Sequence, residues 1–156
     1  MAFLLPFHQL VPANHPQRFL TIRVQDDPDI PTDTYELHEL YCPNPDCDCN
    51  EVFLKVVAIR QNLLIASIRV PLSILLSPTL DPHFVPNPLA LTFLRLISSH
   101  LLSDPAYSLT LREHYRFVKA IAADPSHPAF PTLHRWANSG SSLPSHHRKH
   151  KKGRSK

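Results

Sequence analysis

The sequence predicts an α+β domain, with an antiparallel sheet of about four strands in the N-terminal half, two packed helices after it, and a disordered basic C-terminal tail. Three observations predict it. Between residues 19 and 70, β-prone and polar residues alternate with period two, the pattern of half-buried strands. Between residues 88 and 123, apolar residues recur every three or four positions, the pattern of helices with one buried face. A proline-rich connector, Ser77 to Pro88, divides the two textures. At 156 residues the chain suits one domain over 1–138, with the tail over 139–156.

Taken in order, residues 1–17 mix apolar residues with Pro and His, and supply either a short edge strand or a surface segment. Phe19 to Val24 (FLTIRV) reads as a strand, and the acidic, twice-proline-broken stretch Gln25 to Asp33 as a loop. Thr34 to Tyr41 (TYELHELY) alternates again. It sets Tyr35, Leu37, Glu39 and Tyr41 on one face and Glu36, His38, Leu40 and Cys42 on the other. Glu51 to Arg60 and Leu63 to Val70 read as a strand pair turning at Gln61-Asn62. The chain holds 17 Pro and only 2 Gly, so turns that need positive φ fall to Asn and Asp.

Asn87-Pro88 and Asp104-Pro105 each pair an N-cap residue with proline at the first helical position. The first helix should run to about Leu102 and bury Leu89, Phe93, Leu96, Ile97 and Leu101. The second, from 105 to about 123, should bury Tyr107, Leu111, His114, Val118 and Ile121. Pro125, Pro128 and Pro131 are expected to break the chain afterwards, with Trp136 packing a short terminal turn onto the body.

Charge is divided along the chain. Residues 144–156 hold six of the 16 basic residues and no acid, so the tail is +6 and the body, with 10 basic against 13 acidic residues, is −3. Such a tail either engages nucleic acid, a ribosome or another polyanion through Arg148, Lys149, Lys151, Lys152, Arg154 and Lys156, or solubilises the domain passively. No apolar run reaches the roughly 18–20 residues that span a bilayer. The longest candidate, Leu63 to Leu76, contains Arg69 and Pro71. Met1 to Leu10 lacks a basic leader, and a soluble cytoplasmic protein is the expectation.

The chemistry concentrates in YCPNPDCDCN, where Cys42, Cys47 and Cys49 form a C-x4-C-x-C loop. A polar loop of Pro, Asn and Asp offers cysteine little apolar packing, and a disulfide would leave one thiol over. Thiolates around a zinc ion fit best, with the backbone stiffened by Pro43 and Pro45. A redox or reactive-thiol loop and plain structural cysteines are the alternatives. A closed zinc site needs a fourth ligand. His114, on the inward stripe of the second helix, is the first candidate, since a buried imidazole needs a partner. A histidine bonded to a backbone carbonyl or stacked under Tyr115 is the competing reading. His38 is the fallback, although four strand residues place it roughly 13 Å from Cys42. Asp46 and Asp48 are expected to cap loop N–H groups, and His146, His147 and His150 to be solvated.

Catalytic patterns are missing. His38-Glu39 ahead of the cysteines departs from the H-x-E and P-C-x-x-C of zinc deaminases, because His and Glu are adjacent and Cys47-x-Cys49 has the wrong gap. No G-x-S-x-G, P-loop, G-x-G-x-x-G or H-E-x-x-H occurs, and two glycines leave little for a phosphate-cradling loop.

The segments YELHELYCPNPDCDCNEVFLKVV, LDPHFVPNPLA and DPAYSLTLREHYRFVKAI, spanning residues 34–122, resemble small uncharacterised bacterial proteins that carry a C-x4-C-x-C loop and a helical His-Tyr pair. The resemblance implies a zinc-binding domain, with Cys42, Cys47 and Cys49 in the loop and His114 as the helical histidine, and it implies no activity. A weaker likeness to the SEC-C zinc motif rests on the C-x-C pair alone, without that motif's paired C-[CH] ending. The sequence therefore points to a non-enzymatic, zinc-stabilised adaptor whose tail meets a polyanion. A protein–protein module with a passive tail, or a zinc hydrolase or thiol-redox protein, are the alternatives.

Overall fold

Alternation in the first half and helical periodicity in the second both materialise in the computed structural model, which describes residues 4–73, 77–84 and 87–139. Six strands form one antiparallel sheet: β1 (Leu5–Pro6), β2 (Leu20–Val24), β3 (Asp33–Tyr41), β4 (Glu51–Ala58), β5 (Leu63–Pro71) and β6 (Thr79–Leu80). The three long strands β3-β4-β5 are its centre. β1 and β2 share the outer edge of β3, pairing with Leu40 and Tyr41 and with residues 33–37 respectively, and β6 closes the other edge against β5. Three helices follow, α1 (Ala90–His100), α2 (Pro105–Ala122) and α3 (Phe130–Ser139).

The register explains the core. Glu39 faces Leu54, Leu37 faces Val56 and Tyr35 faces Ala58, and the row continues through Ala66, Ile68 and Val70 of β5. These positions are buried, except that Glu39 puts a carboxylate among them. On the opposite face His38 and Lys55 are half-buried and Arg69 is exposed, while Leu40 and Ser67 are buried. A bulge between Val56 and Val57 leaves Ile65 without a partner across the ladder and turns it into the core. α1 packs on β5 and β6, with Phe93 tilted against Tyr35 at 4.7 Å between ring centroids. α2 lies over β4 and carries α3, which reaches β1.

Local chemistry sets the boundaries. Asp104 Oδ1 accepts the N–H of Ala106 at 2.9 Å, and Pro105 opens α2 as expected. Asn87 accepts the N–H of Leu89 on its side chain, and regular helix begins at Ala90, two residues after the expected Pro88. The expected stripe of α2 is observed, with Leu111, His114, Val118 and Ile121 buried. Among the described residues every positive φ belongs to Asp26, Asn50 or Asn62, in line with the shortage of glycine.

Two expectations need correction. The sheet has six strands rather than about four, because β1 and β6 are two residues long and too short to show a period. Among the described residues there are three α-helices rather than two. Pro131 does not break the chain; it is the second residue of α3, where its missing N–H costs no intrahelical bond. Trp136 then donates its indole N–H to Leu4 O at 2.9 Å, tying the last helix to the first strand. Of the two readings of residues 1–17, the short edge strand is the one observed: β1 pairs with β3, and Leu5 and Phe7 are almost fully buried. No helix among the described residues is long and apolar enough to cross a membrane. The expected basic tail, its six cations and its three histidines lie outside the described residues.

Candidate metal centre

Cys42, Cys47 and Cys49 come together where β3 runs into β4. Their sulfurs all lie within 4.8 Å of one another, with Cys42 buried and the other two half-buried. The loop earns this shape locally. Asn44 turns the chain by accepting the N–H of Asp46 on its side chain at 3.0 Å and that of Cys47 on its carbonyl at 3.3 Å. Asn50, at φ 47°, reverses the backbone after Cys49, and its carbonyl accepts the N–H of Leu72 at 2.9 Å to close the strand pair behind it.

Around the sulfurs the polar groups are donors. The N–H of Cys49 bonds to Cys47, and the N–H of Glu51 to Cys49. Cys47 is held below the usual thiol range, first by that Cys49 N–H and then by the neighbouring thiols of Cys49 and Cys42, with the Lys119 ammonium adding to it. Cys49 is pushed up, chiefly by burial and then by its bond with Cys47. Cys47 is thus the more acidic of this adjacent pair of thiols. Helix α2 braces the same loop: Lys119 donates to Asn44 O at 2.6 Å, and the Tyr115 hydroxyl accepts the N–H of Asn50 at 3.3 Å.

The residues fit a thiophilic cation. Tetrahedral zinc with bonds of about 2.3 Å separates its sulfurs by about 3.8 Å, so three sulfurs already within 4.8 Å need only a small contraction. N–H donors directed at the sulfurs are the outer-shell groups that spread thiolate charge. Among the described residues no fourth His, Cys, Asp or Glu joins the three.

Both histidine candidates are placed elsewhere. His114 Nδ1 lies 2.7 Å from Glu39 Oε2 and its Nε2 lies 3.1 Å from Gln17 Oε1, while its ring stacks on Phe7 at 3.8 Å. The burial expected of His114 is observed, but its partner is a carboxylate on the sheet. His38 stacks on Phe19 at 4.6 Å and lies 3.5 Å from Glu36. Asp46 and Asp48 also stay out of the cluster, and the side-chain cap on the loop is Asn44. Sequence reasoning missed Gln17, Tyr115 and Lys119, which act across long sequence separations and carry no local signal. Glu39 was legible: an acid on the inward face of a strand needs a partner as much as an inward histidine does.

The fold and site together define an α+β domain with a partly buried three-cysteine cluster. No family model, no curated protein and no solved structure matches the chain.

Proposed function

We propose that the chain is a non-enzymatic, zinc-stabilised adaptor domain, with the ion on Cys42, Cys47 and Cys49 and the basic tail engaging nucleic acid or another polyanion. The observation that carries the metal reading is the convergence of three sulfurs in a polar loop whose backbone N–H groups point at them. Zinc suits this donor set because soft thiolates bind it strongly without redox chemistry. Bound there, the ion would cross-link a loop that Tyr115 and Lys119 already hold to α2. It would fix the surface between sheet and helix, and the tail would give electrostatic attachment. The fourth position falls to solvent or to a donor from outside the described residues.

The metal and the tail are tested separately. A strong chelator should lower the unfolding temperature of the full chain, and Cys47→Ser should remove that sensitivity. Binding to a mixed-sequence RNA or DNA should weaken with salt, and truncation after residue 143 should flatten the dependence by roughly the number of phosphates the tail neutralises. If full-length and truncated chains bind alike, the polyanion assignment fails while the metal assignment stands. A specific observation favours one second reading, a thiol-redox loop: Cys47 is acidic and half-exposed beside two further thiols. Rapid alkylation of folded, metal-replete protein would support it.

A further inference from the structure

A cavity of about 270 Å³ lies away from the cysteines, between the end of β5 and the turn that joins α1 to α2. Val70, Leu72, Leu102 and Leu111 give it apolar walls, and Ser98, Ser103 and Ser108 add hydroxyls. Arg112 is the one charged side chain among the described residues that line it.

The surroundings of Arg112 set it apart from the other described arginines. Arg23, Arg60, Arg69, Arg95, Arg116 and Arg135 are exposed, where water balances the charge. Arg18 is half-buried and lies over the Phe19 ring at 4.9 Å. Arg112 is half-buried as well, yet among the described residues no carboxylate pairs with it. Its side chain makes one hydrogen bond there, from Nε to Leu72 O at 3.0 Å. That bond anchors the guanidinium to the strand end and leaves its two terminal nitrogens uncommitted. A guanidinium keeps its charge at any working pH, and its planar fork suits a carboxylate in bidentate fashion.

The hydroxyls do not stand in for a counter-ion. Ser98 gives its proton to Leu94 O at 2.6 Å, Ser103 to Ser99 O at 2.6 Å and Ser108 to Leu102 O at 3.1 Å. They make the rim polar without adding charge. A half-buried cation beside apolar walls favours an anion, and a single cation balances a single negative charge. The walls themselves favour an apolar body. We propose that this cavity binds a small monocarboxylate of about the size of benzoate, whose carboxylate bridges the terminal nitrogens of Arg112. Its apolar body lies against Val70, Leu72, Leu102 and Leu111. The site depends neither on the metal nor on the basic tail.

The test is a chemical-shift titration of the full chain with benzoate, benzyl alcohol and benzylamine. Benzoate is expected to saturate shifts at Leu72, Ser98 and Arg112 with a Kd on the order of 1 mM, appropriate to so small a ligand. The alcohol and the amine should bind about tenfold more weakly or not at all, since neither offers a carboxylate to the guanidinium. Arg112→Met keeps an apolar stem, removes the charge, and should weaken benzoate about tenfold. If that variant does not fold, Ser98→Leu decides: it keeps the guanidinium and its bond to Leu72, narrows the cavity, and should weaken benzoate to a similar degree. The proposal is overturned if benzoate gives no saturable shift at these residues, or if its shifts fall on residues 144–156 instead. It is overturned equally if benzyl alcohol or benzylamine binds as tightly, or if either variant, folded, leaves the Kd within twofold of the parent.

Discussion

Replacing His114 by alanine should be among the most damaging single changes in this chain, and the reason is Glu39. The two side chains are 7% and 9% exposed and meet at 2.7 Å. Removing the imidazole leaves a buried carboxylate without its main partner, a loss of about 3–5 kcal/mol. The variant also loses the ring stacked on Phe7, for about 0.5–1.5 kcal/mol more. Together these approach the whole stability of an ordinary domain. The double variant His114→Phe/Glu39→Leu removes both polar groups and keeps apolar volume, so it should recover most of the loss. Urea unfolding followed by the emission of the single tryptophan, Trp136, reads both. A cost below about 1 kcal/mol for His114→Ala would refute the assignment of a buried, energetically important pair. A cost that vanishes once metal is stripped would return His114 to the metal and contradict its placement on Glu39.

Other expectations follow from single contacts. Asn62 sits at φ 48° in the turn between β4 and β5, so Asn62→Val should lower stability by about 1–2 kcal/mol while Asn62→Gly stays close to the parent, as read by thermal unfolding. Asp33 is buried, which would raise its pKa, but the N–H groups of Arg60, Thr34 and Gln61 outweigh burial and hold it below its ordinary value of 3.8. A carboxyl depressed in the folded state contributes stability that is present above 3.8 and lost as pH falls through the lower folded value. Asp33→Asn should therefore lower the urea midpoint at pH 7, and its deficit should shrink below pH 3.8. An equal deficit at pH 7 and pH 2.5 would contradict this. Tyr115→Phe removes the acceptor for the Asn50 N–H beside Cys49 and should weaken zinc binding by about 10-fold in competition with a chromophoric chelator, with the fold intact.

Legibility in the sequence followed the physical range of each signal. Period-two alternation exposed β2 to β5 to within two residues, most plainly in β3 and β4, where buried and half-buried positions alternate along the strand. The stripe of α2 was equally plain over its 18 residues. β1 and β6 were hidden because two residues contain no period, and α3 because Pro131 reads as a breaker unless its place in the first turn is known. At the site, three cysteines within eight positions announce themselves. The partner of His114 did not, since it lies 75 positions away in sequence. The clue was present all the same. His114 lies on the inward stripe of α2, and Glu39 shares a strand face with Tyr35, Leu37 and Tyr41, so an acid on the more apolar face of β3 needs a partner as that histidine does. Zinc drew His114 away from that pairing because a closed site was expected to need four protein ligands.

Elemental analysis of the purified full chain, alongside Cys42→Ser, Cys47→Ser and Cys49→Ser, addresses the three-thiolate site most directly. The expected result is one zinc per folded chain, lost in each serine variant and kept in His114→Phe/Glu39→Leu. A folded chain that carries no stoichiometric metal, and whose three thiols all react freely with a disulfide reagent, would contradict it.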